Sequence, residues 1–209
     1  MRILEDIYNA VIEGKVEDAA AGVEQGLKSG ITVDDLLKKG LLSAMDLVGE
    51  RFGEGEIFIP QVIWSAKAMQ AGMDLLRPHF TEGQQAKTAR IIIGTAQGDI
   101  HDIGKNLVGM MLEGAGFDVV DLGVDIKPEQ FVEKAVEEKA DIIAVSALLT
   151  TTMVSMKTVI DSLKEKGSKA KILIGGAPVT QNYSDEIGAD GYAPDAATAV
   201  EVGKTLLGK

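Results

Sequence analysis

The sequence predicts two domains of different class, a helical bundle followed by an α/β domain with a doubly wound parallel sheet. Three observations carry that expectation. The first eighty residues repeat apolar side chains at helical spacing, residues 81–88 are polar with Gly83 and paired glutamines, and from residue 89 onward short, continuously apolar runs alternate with helical segments. Domains are therefore expected at 1–80 and 89–209, joined by a linker at 81–88.

Each element follows from its own residues. Ile3, Leu4, Ile7, Val11 and Ile12 mark a first helix, and Val16, Ala19, Ala20, Val23 and Leu27 a second, with Gly14 and Gly30 where helix ends belong. Thr32 ahead of Asp34 and Asp35 reads as an N-cap with an acidic first turn, opening a third helix through Leu36, Leu37, Leu41, Met45 and Val48. A fourth starts at Pro60 and runs through Val62, Ile63, Ala66, Met69, Met73 and Leu76 until Pro78 stops it. Four helices with short loops make a bundle. Strands are expected at 90–95, 118–122, 141–145 and 171–174, with a weaker fifth at 191–193; helices are expected at 104–113, 128–139, 152–166, 185–187 and 195–207. Apolar runs without alternation suit a parallel sheet covered on both faces, here five-stranded and flavodoxin-like in strand order.

Composition narrows the function. The 209 residues are 45% hydrophobic and 25% charged, in the ordinary globular range. A formal charge of −11 argues against a nucleic-acid partner, whose phosphates need clustered Lys and Arg. With no cysteine, the chain has no disulfide, thiolate metal site, iron–sulfur ligation or cysteine nucleophile, so redox chemistry must belong to a bound cofactor. No apolar run is long enough for a bilayer, and the start from Arg2 to Asp6 is too charged for a signal peptide, so a cytoplasmic location and no membrane partner are expected.

Ligands of open parallel sheets bind beyond the strand carboxyl ends, where the strand order reverses. Two loops fall there, from Gln97 to Asn106 after strand one and from Ser146 to Thr152 after strand three. Asp99 lies two positions before His101, close enough to bond one ring nitrogen and leave the other for a metal. Ser146, at the end of the neighbouring strand, is placed to bond the same carboxylate. A serine hydrolase would need a sharp turn such as G-x-S-x-G, and Val145-Ser146-Ala147 offers none.

Asp99-x-His101-x-x-Gly104, followed by Ser146-x-Leu148 and then Gly175-Gly176, resembles the D-x-H-x-x-G…S-x-L…G-G signature of the cobalamin-binding domain of methionine synthase and related corrinoid proteins. The run from Arg51 to Gln61, with Ser65 to Met69, is similar to the helical cap that precedes that domain, so the resemblance spans essentially the whole chain. It implies cobalamin or a related cobamide as cofactor. His101 would replace the cofactor's own base as lower cobalt ligand, supported by Asp99 and Ser146 and flanked by Asp102 and Ile103. Gly104, Gly175 and Gly176 would admit the displaced nucleotide tail, Leu148 and Thr150 would line its slot, and Tyr192 and Ala193 would close it. In the bundle, Phe58, Val62 and Met69 would shield the upper face of the corrin. Trp64 is read as a buried residue, and the acidic pair Glu137-Glu138 as a solvated face.

The chain is most similar to the small free-standing corrinoid proteins of methylamine-, methanol- and betaine-type methyltransferase systems. The function implied is that of a methyl carrier, passing a methyl group on cobalt from a substrate-specific methyltransferase to an acceptor methyltransferase, with a reductive activation protein as third partner. Such a chain carries a cofactor and is not catalytic alone. The alternatives are a cobalamin-dependent sensor and the small subunit of an adenosylcobalamin mutase. A sensor's cap carries Glu-His after the nine residues that follow its tryptophan, where this chain has Asp74-Leu75; a mutase subunit needs no shielding cap. A receiver domain would need an aspartate in place of Ser146, and a flavodoxin a Ser/Thr-rich loop after strand one.

Overall fold

The structure, a computed structural model, describes residues 2–79 and 89–208. The linker expected at 81–88 lies outside the described residues. The described residues divide into two compact units, one built on the residues before 80 with the short run 113–116, and the other on residues 89–112 and 117–208.

The first unit is helical. Helix α1 (Arg2–Ile12) buries Ile7, Ala10 and Val11, and α2 (Val16–Lys28) buries Ala19, Val23 and Gly26. The hydroxyl oxygen of Thr32 accepts the Asp35 N–H at 3.1 Å, the expected N-cap. The third rod, however, is not uniform: α3 (Val33–Asp35) passes into a π-helical stretch, Leu36–Leu42, and then into α4 (Ser43–Gly53), with helical backbone at both junctions. Bonding to i+5 brings Leu36 and Leu41, five residues apart and both fully buried, toward one face.

Helix α5 (Ile59–Leu76) has Phe58 as its N-cap, and Gln61 Oε1 accepts the Phe58 N–H at 2.8 Å. Its buried residues Val62, Ser65, Met69, Gly72 and Leu76 recur every three or four positions, which defines one face. That face points into the bundle. The Ser65 hydroxyl donates to the Ile12 carbonyl at 3.2 Å, and a Cβ on Gly72 would lie 2.8 Å from Leu41 and 3.2 Å from Val23. A 3₁₀ turn, Arg77–His79, follows.

The second unit is a five-stranded parallel sheet of β1 (Arg90–Thr95), β2 (Asp118–Asp121), β3 (Ile142–Ser146), β4 (Lys171–Gly175) and β5 (Gly191–Ala193) in the order β2-β1-β3-β4-β5. The helices are α6 (Ile103–Gly114), α7 (Pro128–Glu137), α8 (Thr150–Met153), α9 (Ser155–Glu165), α10 (Gln181–Ile187) and α11 (Ala196–Leu206). Ile91, Ile92, Ile142 and Ile143 are fully buried in the central strands, as a sheet covered on both sides requires. One layer of core joins Ile92, Ile143, Ile172 and Ile174 to Phe131 of α7 and to Met156, Val159 and Ile160 of α9.

Three local expectations change. The helix expected at 152–166 is two helices, α8 and α9, meeting at Val154. The short helix expected at 185–187 starts at Gln181, because the Thr180 hydroxyl oxygen accepts the Tyr183 N–H at 3.2 Å. Glu138 is not simply solvated: it takes a 2.6 Å bond from Arg90, whose guanidinium also binds Asp118 at 2.6 and 2.8 Å and whose N–H donates to Asp141 at 2.8 Å. That network ties together the amino ends of β1, β2 and β3.

Candidate functional site

Strand register sets the floor of the site. Thr95, Ser146, Gly175 and Ala193 are mutual partners across β1, β3, β4 and β5, so they form one row at the carboxyl edge of the sheet. The order reverses between β1 and β3, and the loops that follow those two strands meet above the row.

Asp99 is the hinge of that meeting. It is fully buried, and its two carboxylate oxygens accept four hydrogen bonds. Oδ1 takes the His101 N–H at 3.1 Å and His101 Nδ1 at 2.7 Å. Oδ2 takes the Leu148 N–H at 2.8 Å and the Thr152 hydroxyl at 2.6 Å. Burial alone would raise the carboxyl pKa; the Thr152, Leu148 and His101 donors outweigh it and hold Asp99 well below the usual carboxylate range. An ionised carboxylate can only accept, so His101 Nδ1 carries a proton, and in the neutral ring the free lone pair is then on Nε2. The His101 side chain is half-exposed, and the Thr95 hydroxyl pins its carbonyl at 2.9 Å.

The carboxylate's hydroxyl partner thus corrects the sequence reading. Ser146 ends β3 as expected, but the hydroxyl on Asp99 belongs to Thr152, in the first turn of α8. Ser146 is held in the sheet row by its register with Thr95 and Gly175, whereas Thr152 is buried in the first turn of α8 with its hydroxyl on Asp99. Of the run Thr150-Thr151-Thr152 only the last is buried; Thr150 is exposed at the start of α8.

The other expected residues sit around this core. Leu148 contributes its N–H to Asp99 and leaves its side chain exposed. Asp102 and Ile103 are exposed beside His101, with the Asp102 carbonyl accepting the Asn106 N–H at 2.7 Å. No atom would lie within 4 Å of a Cβ on Gly104, so space there is open. Gly175 and Gly176 answer to the strands as well: a Cβ on Gly175 would lie 2.8 Å from the Ala193 carbonyl, and Gly176, at φ +123°, could carry no Cβ without striking the Ala147 carbonyl. Tyr192 is half-buried against the core and Ala193 is buried.

In the bundle the expected trio separates. Phe58 is 69% exposed, but Val62 and Met69 lie on the inward face of α5 with 0% and 1% exposed. They are core residues, held there by the same spacing that made them conspicuous. Trp64, expected to be buried, is 54% exposed, and the Lys67 ammonium sits 4.7 Å from its ring centroid. The apolar side chains that this unit presents outward include Phe58, Ile59 and Trp64.

The residues fit a metal that arrives with its own ligands. Among the described residues no three His, Cys, Asp or Glu side chains form a metal site, so a metal on His101 needs its remaining donors from a cofactor. Around His101 the exposed side chains of Ile100, Ile103, Leu148 and Leu149 give an apolar surface for a large ring. A single imidazole donor, an apolar rim and open backbone at Gly104 suit a cobamide.

Comparison with known proteins agrees. Two models, each described as a B12 binding domain, match residues 89–201 and 3–77. A corrinoid protein of Desulfitobacterium hafniense is 43% identical over 214 residues, covering 100% of this chain and 99% of its own. A dimethylamine corrinoid protein of Methanosarcina barkeri is 43% identical over 208 residues, covering 98% and 97%. One chain of the methanol:cobalamin methyltransferase complex of Methanosarcina barkeri superposes with a TM-score of 0.88 at 33% identity, over 100% of this chain and 81% of that one.

Proposed function

The chain belongs to the B12-binding corrinoid proteins, and from that premise we propose that it carries a methyl group on a cobamide between two methyltransferases. One takes the methyl group from a simple methylated amine or methanol, and the other passes it to an acceptor. The relatives named for dimethylamine and the methanol:cobalamin methyltransferase complex support that substrate class. The chain holds the cofactor and leaves catalysis of each transfer to its partners.

The observation that carries the reading is the buried Asp99 carboxylate, which engages His101 Nδ1 at 2.7 Å and leaves Nε2 of the half-exposed ring as the nitrogen available to a metal. When bound, the cobamide supplies the cobalt on which the methyl group travels. His101 gives that cobalt one nitrogen ligand. Asp99 fixes the ring and its tautomer, and the Thr152 and Leu148 donors keep Asp99 ionised. Ile100, Ile103, Leu148 and Leu149 cover apolar ring and keep water from it. Within the same proposal, Gly104, Gly175, Gly176, Ser146, Thr150, Tyr192 and Ala193 surround the nucleotide tail, and Phe58 supplies apolar cover from the bundle.

A division into a shielding domain at 1–80, a linker at 81–88 and a binding domain at 89–209 belongs to this proposal, as do a reductive activation protein and a cytoplasmic setting. No helix of the described residues is long and apolar enough to cross a membrane. The test is electron paramagnetic resonance of the full chain loaded with cob(II)alamin. Nitrogen splitting of the cobalt signal is expected from His101 and is lost in His101→Ala; a spectrum unchanged by that substitution overturns the assignment.

A further inference from the structure

A lysine with only 2% of its side chain exposed lies four residues beyond His101. Lys105, in the first turn of α6, donates from its ammonium to the carboxylate of Asp121, the last residue of β2, and to Asn106 Oδ1 at 2.7 Å. Nothing in the site as described so far uses this group. A buried ammonium is costly even when paired, and an apolar side chain of similar length would fill the space without that cost. What the ion pair joins supplies a reason for it.

The second oxygen of Asp121 accepts the Gly123 N–H at 2.8 Å. Gly123 belongs to the segment 122–126, which runs beside the end of β1 and the loop bearing Asp99 and is bonded to both. Leu122 N–H donates to the Ile93 carbonyl at 2.8 Å, Thr95 N–H to Gly123 at 3.0 Å, and Ile126 N–H to Thr95 at 3.0 Å. Asp125 N–H donates to the Asp99 carbonyl at 2.9 Å, and its carboxylate accepts the Gly98 N–H at 2.7 Å. Asp125 does this at φ 56°, in the left-handed region that aspartate reaches more readily than most non-glycine residues. His101 therefore hangs between two anchors. On one side is the Asp99 loop, bonded along 122–126; on the other is the first turn of α6. Lys105 to Asp121 is a side-chain tie between them.

We propose that Lys105 is a positioning residue: through Asp121 it fixes the angle at which α6 leaves the His101 loop, and so aims His101 Nε2 at the cobalt. The inference rests on the reading of His101 as the cobalt ligand, and its test separates the two.

The variant is Lys105→Met in the full chain. Asp121 is 47% exposed, so its carboxylate can hydrate once the ammonium is gone, and the fold is expected to survive. Asp121→Asn, which keeps an acceptor and removes the charge, is the second variant should the first not fold. Ile172→Val, in the sheet core, is the control for a general loss of stability. Two readouts are compared with the wild type: nitrogen splitting in the cob(II)alamin-loaded protein, and the ¹⁵N resonances of the His101 ring in the protein without cofactor. Lys105→Met is expected to weaken nitrogen ligation about tenfold or more, the usual cost of losing support behind a metal-bound histidine, and to shift the ring resonances. Ile172→Val should do neither. Unchanged splitting and ring resonances in Lys105→Met overturn the proposal, and so does an equal loss in Ile172→Val. If the wild type itself shows no nitrogen splitting, the ligand assignment falls, and the ring resonances alone decide whether Lys105 positions His101.

Discussion

The loop after β1 and the helix α5 each hold residues expected at the cofactor, and they treat those residues in opposite ways. In the loop, Asp99 is fully buried so that His101 can be half-exposed and still rigid: four hydrogen bonds converge on one carboxylate, and one ring nitrogen is left over. In α5, Val62 and Met69 are fully consumed by packing, and the apolar side chains left exposed at its start, Phe58 at the N-cap with Ile59 and Trp64, sit off the inward stripe. A residue that continues a helical period is claimed by the core, whereas one that interrupts the pattern needs another reason to be there.

The sharpest way to break this contrast is to truncate one residue of each kind in the bundle. Met69→Ala opens a cavity in a packed interior and is expected to cost about 2–5 kcal/mol of stability. Phe58→Ala, at an exposed position, should stay within about 0.5 kcal/mol. The chain has a single tryptophan, Trp64, and it lies in the bundle, so urea unfolding followed by its fluorescence reports on this unit directly. Equal effects at the two positions would mean that Met69 is not the core residue its burial indicates.

The next prediction weighs the two hydroxyls beside Asp99. Thr152→Val removes a 2.6 Å bond from a fully buried carboxylate and should cost about 1–3 kcal/mol. Ser146→Ala removes no bond to Asp99 and should cost clearly less, about 1 kcal/mol at most. The comparison is made by chemical denaturation monitored by far-ultraviolet circular dichroism. The reverse ranking would restore Ser146 as the partner of the carboxylate.

What could be read from the sequence follows the range of the interactions concerned. The central strands were legible because Ile91–Ile93 and Ile142–Val145 are buried on both faces, and such burial writes a continuous apolar run. Asp99 and His101 were legible because they lie two residues apart and share one turn. Thr152 bonds Asp99 across 53 residues, and among three consecutive threonines no local pattern distinguishes the one that is buried. Nothing local marks Lys105 as a buried cation in a helical first turn, because its burial depends on Asp121 at the end of another strand. The π-helical stretch was hidden too, since Leu36, Leu37 and Leu41 fit a 3.6-residue period loosely enough to pass for one.

The smallest expected effect concerns pH, and it tests the electrostatic side of the same contrast. In the folded chain the donors from Thr152, Leu148 and His101 overcome the burial penalty and keep Asp99 ionised well below the usual carboxylate range. In the unfolded chain the same group takes up a proton near its ordinary value of about 3.9. Above that value both states are ionised and Asp99 contributes its full stabilisation, independent of pH. As pH falls through about 4, the unfolded state binds a proton that the folded state refuses, so stability declines with further acidification until the folded carboxyl itself titrates. Asp99→Asn cannot titrate and lacks this component, while also losing an acceptor for one of the two donors on Oδ2. The wild type should therefore exceed the variant in urea midpoint by a constant margin from pH 6 to about 4.5, and the margin should shrink toward pH 3. A margin that stays constant down to pH 3 would show that Asp99 titrates no differently in the folded chain than in the unfolded one, and the hydrogen bonds that hold His101 would then owe nothing to a carboxylate kept charged in the interior.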